Sequence, residues 1–388
     1  MPHDRLEHDR LETADTPDSG TLADSVPFRA GSEGYASFRI PACVGLPDGS
    51  VLALAEGRVD SSSDSGNIDI VQKRSTDGGL TWGPLKVTAE NGTGTAGNPA
   101  PVVLDGGRLL LVYVRNAAGA TEDRIRRGLV SAADGRRVWV RHSDDCGETW
   151  SAPREITGSV KDPAWRWYAT TPGHAIQLAV PPCTGRIVVP GNHSTPPTVP
   201  GDNGTEGRYN GGHDLLSDDG GETWRLGYLD DNPDGWVNVN ETTAAELPDG
   251  RVYFNTRNDA DAPGNRADAY STDGGATLVA PFQPKPELIT PVVEGSVLAL
   301  RDPDLLLFSC PGHPETRHRM TVRASTDGGV TWQDVHVVDE RRAAYSDLVR
   351  VDDATVGLLY ETGDTSAYTT ITFRRIPVSE LVPPEEMP

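Results

Sequence analysis

The chain has 388 residues and a formal net charge of -22 at pH 7, with 42 Gly and 31 Pro against 6 Phe and 3 Met. The acidic balance excludes nucleic acid as a partner, because most of the surface repels a phosphate backbone, so any bound anion needs a local arginine cluster. The glycine and proline content, without a long stretch of helical apolar period, predicts short strands and many turns. No apolar run reaches the roughly 18 residues of a membrane helix, so no membrane insertion is expected.

Residues 1–24 carry the pentapeptide HDRLE twice and almost no apolar side chain, and are predicted to be a disordered tail. The N-terminus has no apolar segment of the secretory type, which predicts a cytoplasmic protein, or a secreted one if the chain is a processed or engineered form. No Pro- or Ser-rich linker follows, so residues 25–388 are predicted to be a single domain. Cys43, Cys146, Cys183 and Cys310 are far apart and form no CxxC pair, and are expected to be buried free thiols. The nine histidines show no HExxH, so neither a catalytic metal nor a cofactor is expected.

An acidic turn recurs from there on: STDGGLTW at Ser75, SDDCGETW at Ser143, SDDGGETW at Ser217, STDGGATL at Ser271 and STDGGVTW at Ser325. The spacings of 68, 74, 54 and 54 residues suit one turn per propeller blade. In each copy the Asp can bond to nearby backbone amides, glycine supplies positive φ, and the terminal Trp anchors the bend; the fourth ends in Leu278 instead.

Six further segments join a turn to a strongly apolar strand: LPDGSVLALAEGR, LDGGRLLLVYVRN, CTGRIVVPGNHS, LPDGRVYFNTRN, RDPDLLLFSC and VDDATVGLLYETG. They predict an all-β, six-bladed propeller of four-stranded antiparallel blades. The sixth unit lacks the acidic turn and ends in YTTITFRRIP, and the stretch near SVPFRA is expected to close the ring.

This order places the acidic turns on one face. The starts of first strands, the ends of second strands and the second-to-third connections lie on the other. First-strand starts hold Arg39, Asn98, Glu241 and Tyr345; second-strand ends hold Arg58, Arg257 and Glu361; the connections hold Asp64 and Arg317. Several candidates have near neighbours of the same kind: Arg319 and Arg323 beside Arg317, Glu246 beside Glu241, and Asp60 and Asp69 beside Asp64. The stretch WRWYATTPGHAIQL is expected to add pocket wall through Trp167, Tyr168 or His174.

An Arg-Ile-Pro motif followed by repeated SxDxGxxW boxes resembles the sialidase (neuraminidase) family of retaining glycoside hydrolases, over roughly residues 30 to 377. The resemblance is to the bacterial-type exo-alpha-sialidases, which act on terminal sialic acid of oligosaccharides and glycoconjugates. It implies Arg39, Arg257 and Arg317 as a carboxylate-binding triad, Asp64 as acid/base, Tyr345 as nucleophile, Glu241 as its partner and Glu361 as the support for Arg39. Arg58 is a further pocket arginine, and Asn98 stands where many relatives have Asp before Pro.

The chemistry of those residue types agrees. A substrate with a carboxylate on its anomeric carbon suits bidentate guanidinium groups better than lysine point charges. An attacking Asp or Glu would meet that carboxylate as a like charge, at on the order of 4 kcal/mol for 4 Å and an effective dielectric of 20. A phenol avoids much of this repulsion, and Glu241 can take its proton. Two other outcomes fit the same residues: a trans-sialidase, in which an acceptor sugar replaces water, and a non-catalytic glycan-binding propeller that keeps only the arginines for recognition.

Overall fold

The apolar hairpin segments fold as strands buried on both faces. In Val51–Arg58 every residue is buried, and the same holds for Ile187–Ser194 and Thr355–Gly363. Near-continuous burial of this kind needs apolar side chains on both sides of the sheet. The turns that enter these strands share one bond: Leu46, Leu104 and Leu247 N–H donate to the carbonyls of Ser50, Arg108 and Arg251, each at 2.8 Å. The computed structural model describes residues 24–233, 235–259 and 265–384, so almost all of the expected N-terminal tail lies outside the described residues.

The chain is all-β. Among the described residues, helix is confined to Glu122–Arg126, Thr157–Val160 and two single 3-10 turns, and no helix is long and apolar enough to cross a membrane. Strands pair antiparallel in chain order. Ser37–Gly45, Val51–Arg58, Ile68–Ser75 and Lys86–Ala89 form one such run. Thr95–Val103, Leu109–Asn116, Arg137–Ser143 and Arg154–Glu155 form the next. Tyr168–Thr170 then pairs with Ile187–Ser194, followed by Asn210–Ser217 and Arg225–Asp230. Val239–Glu246, Val252–Asn258, Arg266–Ser271 and Gln283–Pro284 repeat the pattern.

The last part departs from simple repetition. Gln333–Arg350 is one 18-residue strand that pairs first with His318–Ser325, itself reached from Ser296–Arg301 through Asp304–Pro311, and then with Thr355–Gly363. Thr370–Pro377 follows, and the N-terminal strand Ser25–Arg29 lies beside it, with Ser25 opposite Phe373 and Phe28 opposite Ile371. The two ends of the described chain therefore meet in one sheet.

The acidic turns have one construction. In the first, Ser75 Oγ donates to Asp77 Oδ1 at 2.7 Å, Gly79 N–H donates to Ser75 Oγ at 2.8 Å, and Thr81 N–H donates to Asp77 Oδ1 at 2.9 Å. Ser143, Ser217, Ser271 and Ser325 head the same set. Gly79 has φ +92°, and a Cβ there would lie 2.1 Å from the Phe373 ring. The equivalent Gly221 and Gly329 are pressed against Leu110 and Tyr253. The turns at Gly221 and Gly329 thus pack on the run of strands before their own, and the turn at Gly79 packs on the last run.

Register sets the distance from turn to opposite end. Ser75 pairs with Val51 and Ile68 with Arg58, so the acidic turn and Arg58 are separated by an eight-residue strand, about 23 Å at ~3.3 Å per residue. Between the runs, the fully buried Asp347 carboxylate accepts from Cys43 N (2.8 Å), His174 N (2.9 Å) and Ser296 Oγ (2.8 Å), drawing four distant segments together. The cysteines are free, but only Cys43 and Cys310 are buried; Cys146 and Cys183 are half-exposed because they lie in turns at the sheet ends.

Candidate active site

Four inner strands carry the same irregularity. Register slips between Arg39 and Ala42, Gly97 and Ala100, Val239 and Thr242, and Ala343 and Ser346. At each bulge two residues face one: Ile40 and Pro41, Asn98 and Pro99, Asn240 and Glu241, Ala344 and Tyr345. Bulges bend a strand and re-aim its side chains. Ile40 takes φ +61° and Asn98 φ +53°, a conformation strained for any β-branched residue.

Buried carboxylates hold the amides that these bulges release from the ladder. Glu361, 0 % exposed, accepts Ile40 N–H on Oε1 (2.9 Å) and Tyr345 N–H on Oε2 (3.2 Å), and also takes Arg39 Nε at 2.7 Å. Glu56 does the same one unit on, accepting Asn98 N–H on Oε1 (2.9 Å) and Arg58 Nη2 on Oε2 (2.6 Å). The strained backbone is thereby tied to the guanidinium groups it presents.

The bulges open onto a cavity of about 290 Å³. On one side, Tyr345 Oη donates to Glu241 Oε1 in a short hydrogen bond, and Glu241 Oε2 accepts Arg257 Nη1 at 3.0 Å. The guanidinium carbons of Arg39 and Arg317 lie 5.2 and 5.8 Å from the Tyr345 ring centroid. Arg39 also stacks on Tyr368 at 3.8 Å, and Tyr368 Oη accepts Arg317 Nη1 at 3.0 Å. Burial pushes the Tyr345 phenol well above its usual pKa, and the Glu241 charge adds to this against the opposing pull of Arg257 and Arg39. The resting tyrosine is therefore protonated and its proton already points at a carboxylate.

Asp64 stands at the rim with 82 % of its side chain exposed, accepting Arg58 Nη1 at 2.7 Å and lying 4.0 Å from Arg39 Nη1. Packing on one side acts to raise its pKa, but Arg58, Arg39 and Arg136 outweigh this and hold it below the usual carboxylate range. Arg136 continues the arc: its Nη1 donates to Asn98 Oδ1 at 2.7 Å and its guanidinium stacks 4.2 Å from the Trp167 ring. Burial lowers the Arg136 pKa to about 10, which leaves it charged at neutral pH. Among the described residues, no group of three or more His, Cys, Asp or Glu side chains is arranged to hold a metal.

Eight of the nine residues singled out in the sequence line this cavity: Arg39, Arg58, Asp64, Asn98, Glu241, Arg257, Arg317 and Tyr345. Glu361 lies beneath, bonded to Arg39. The neighbours that competed with them point elsewhere. Arg319 faces Glu340 and Asp334, Glu246 caps Ala179 and Val180 N–H, and Asp69 accepts Tyr35 Oη. Trp167 is wall, whereas Tyr168 packs in the core and His174 is spent on Asp347.

Glu56, Arg136, Asn192 and Tyr368 were missed. Glu56 had a usable signal, since LALAEGR places it as LLYETG places Glu361. The other three sit in loops or on a strand of ordinary pattern and carry none.

The chain matches the family described as BNR repeat-like domain over residues 49–358. It is 30 % identical to a sialidase of Bacteroides fragilis over 91 % of this chain and 64 % of that one, so it spans less than two thirds of that relative's length. It is 30 % identical to an exo-alpha-sialidase of Aspergillus fumigatus over 89 % of this chain and 85 % of the other. Among solved structures, a Hadza microbial sialidase superimposes with a TM-score of 0.77 at 28 % identity, covering 92 % of this chain and 69 % of its own.

Proposed function

The chain belongs to the sialidase family, and from that premise we propose that it is a retaining exo-alpha-sialidase, a glycoside hydrolase that removes terminal sialic acid from oligosaccharides and glycoconjugates. The reading includes a single six-bladed propeller over residues 25–388, supported by the successive antiparallel runs and by Ser25–Arg29 closing on Thr370–Pro377. What carries it is the Tyr345 phenol hydrogen-bonded to Glu241 with the guanidinium groups of Arg39, Arg257 and Arg317 around it.

Arg39, Arg257 and Arg317 bind the sugar carboxylate by charge-assisted hydrogen bonds, each worth ~1.5 to 3 kcal/mol. That contact sets the anomeric carbon over Tyr345 Oη. The phenol oxygen attacks this carbon as its proton passes to Glu241. Asp64, in its acid form, donates a proton to the departing glycosidic oxygen. The tyrosyl-sugar bond is then cleaved by water, which gives its proton to Asp64, while Glu241 returns the first proton to the phenol. Two inversions at one carbon give net retention. The bond from Glu361 keeps Arg39 at its post throughout.

A fluorogenic α-sialoside assay tests this reading. Asp64→Ala should lower turnover about 10² to 10⁴-fold, the usual worth of a general acid, and Tyr345→Phe by at least as much. Equal rates in wild type and both variants would sink the mechanism. A 3-fluorosialosyl fluoride should leave a sugar mass on the peptide containing Tyr345.

A further inference from the structure

The protein holds a second cavity, of about 340 Å³, whose lining shares no residue with the catalytic one. It is lined by the end of Leu109–Asn116, where Asn116 pairs with Thr95, the first residue of the strand that bears Asn98. Both cavities therefore lie toward the same end of the strands.

Charge sets this cavity apart. The chain has 57 Asp and Glu residues, yet the described lining contains two arginines, Arg115 and Arg137, and no carboxylate. The two arginines stand opposite each other on paired strands, where like charges destabilise a sheet. Glu155 offsets only one of them, accepting Arg137 Nε at 2.8 Å and also Nη2. Arg115 makes no hydrogen bond or ion pair with a described residue. Its Nε is sealed from solvent but Nη1 and Nη2 are not, and its guanidinium carbon lies 4.7 Å from the Trp139 ring centroid. A guanidinium held against an indole, beside a second arginine over a cavity free of carboxylates, lacks only its anion.

The remaining polar groups call for hydroxyls. Asn91 Nδ2 is committed to the carbonyls of Thr95 (3.3 Å) and Asn116 (3.0 Å), which leaves its Oδ1 an open acceptor. Thr93 is exposed, with its hydroxyl bonded to no described residue. A bare carboxylate offers nothing to Asn91 Oδ1. A carboxylate on a hydroxylated ring supplies acceptor oxygens to the arginines and O–H donors to Asn91.

We propose that this cavity is a second saccharide site, binding a pyranose that bears a carboxylate: Arg115 Nη1 and Nη2 take the carboxylate with Arg137 Nη1 beside them, and Asn91 Oδ1 and Thr93 take ring hydroxyls. The lining holds neither a carboxylate nor a tyrosine, so the sugar is held there and not cleaved. None of these residues enters the proposed mechanism, and the site stands independently of it.

The full chain labelled with 5-fluorotryptophan tests this. Trp139 lines this cavity and Trp167 the catalytic one, so their fluorine resonances, assigned with Trp139→Phe and Trp167→Phe, report the two sites separately. Hexuronic and nonulosonic acids both carry the required chemistry, and methyl β-glucuronide and the methyl thioglycoside of sialic acid represent them, with methyl β-glucoside as the neutral control. At least one acidic glycoside should shift Trp139 saturably, at a concentration about tenfold or more below that needed for the glucoside, the least that one charge-assisted hydrogen bond contributes. Arg115→Gln should abolish the shift and keep kcat/KM for a fluorogenic α-sialoside within about twofold of wild type. If it does not fold, Arg115→Lys, which keeps the charge but loses the fork, should weaken binding about threefold or more.

No saturable Trp139 shift with either acidic glycoside overturns the inference, while a Trp167 shift or sialoside turnover in the same preparation leaves the sialidase reading in place. Equal affinity for acetate or inorganic sulfate would reduce the cavity to a bare anion site and overturns the sugar assignment. A shift that persists in folded Arg115→Gln, or unchanged binding in Arg115→Lys, overturns the role of Arg115.

Discussion

Asp64 is held in its charged form by the arginine next to it, although the proposed chemistry needs its proton. Arg58 donates to it at 2.7 Å, and Arg39 and Arg136 add to the field that holds its pKa below the usual carboxylate range. On that proposed mechanism the free enzyme donates only while Asp64 is protonated, so kcat/KM should fall as pH rises through a pKa that these charges have moved down. Arg58→Met removes the nearest charge, raises that pKa and should move the alkaline limb of the kcat/KM profile to higher pH by about one unit or more. A limb that stays in place in Arg58→Met would mean that another group supplies the proton. On the same proposal a substrate carboxylate paired with Arg39 would act in the same direction as the substitution, and substrate binding would itself help Asp64 to hold a proton.

The acidic turn answers to a different requirement. Its bonds run from Ser to Gly and from Asp to Thr within one octapeptide, and its second glycine admits the side chain of the preceding unit. In Ser217→Ala, Gly221 N–H loses its acceptor and Asp219 loses a donor, at a cost of about 1 to 3 kcal/mol for a buried amide left unpaired. Chemical denaturation should register that loss, while kcat per folded molecule stays unchanged because the turn lies at the far end of its strand from the cavity. The fourth copy shows how tolerant the anchor is. Leu278 packs where the other turns place Trp, beside Phe282 and Ala269, without the indole N–H bond. Elements of this kind were readable because the Ser, Asp, Gly and Thr bonds that shape the bend are local in sequence, even though Trp82 and Trp150 anchor it on Ser25 and Gln72.

Closure joins the two ends. Arg39 and Glu361 are 322 residues apart and Tyr345 and Glu241 104 apart, yet each pair shares a hydrogen bond. Six arginines face one cavity in a molecule of net charge -22, interleaved there with Glu56, Asp64, Glu122, Glu241 and Asp259, so ring packing gathers both signs of charge at one opening. Phe28 sits wholly buried in the closing strand, against Phe38 at 5.3 Å. Phe28→Ala should destabilise the protein by about 3 to 5 kcal/mol. The thermal midpoint should fall with it, and activity should disappear in the same transition as the tertiary near-ultraviolet signal. Loss of activity well below that transition would separate the site from ring closure.

The repeated turns, the apolar hairpins and the first-strand positions of Arg39, Asn98, Glu241 and Tyr345 could all be read from residue order, since turn chemistry and strand burial depend on neighbours a few positions away. Proline after Ile40 and after Asn98 even marks two of the four bulges. Nothing of the kind marks the bulges at Glu241 and Tyr345, or the far wall. Arg136 precedes an ordinary strand, and Asn192 lies inside one. They line the cavity only because separate runs of strands are packed against one another, with buried Glu56, Glu361 and Asp347 holding backbone amides from neighbouring runs. Contacts between units hundreds of residues apart obey no sequence period, and so the chemistry of that wall became visible only in three dimensions.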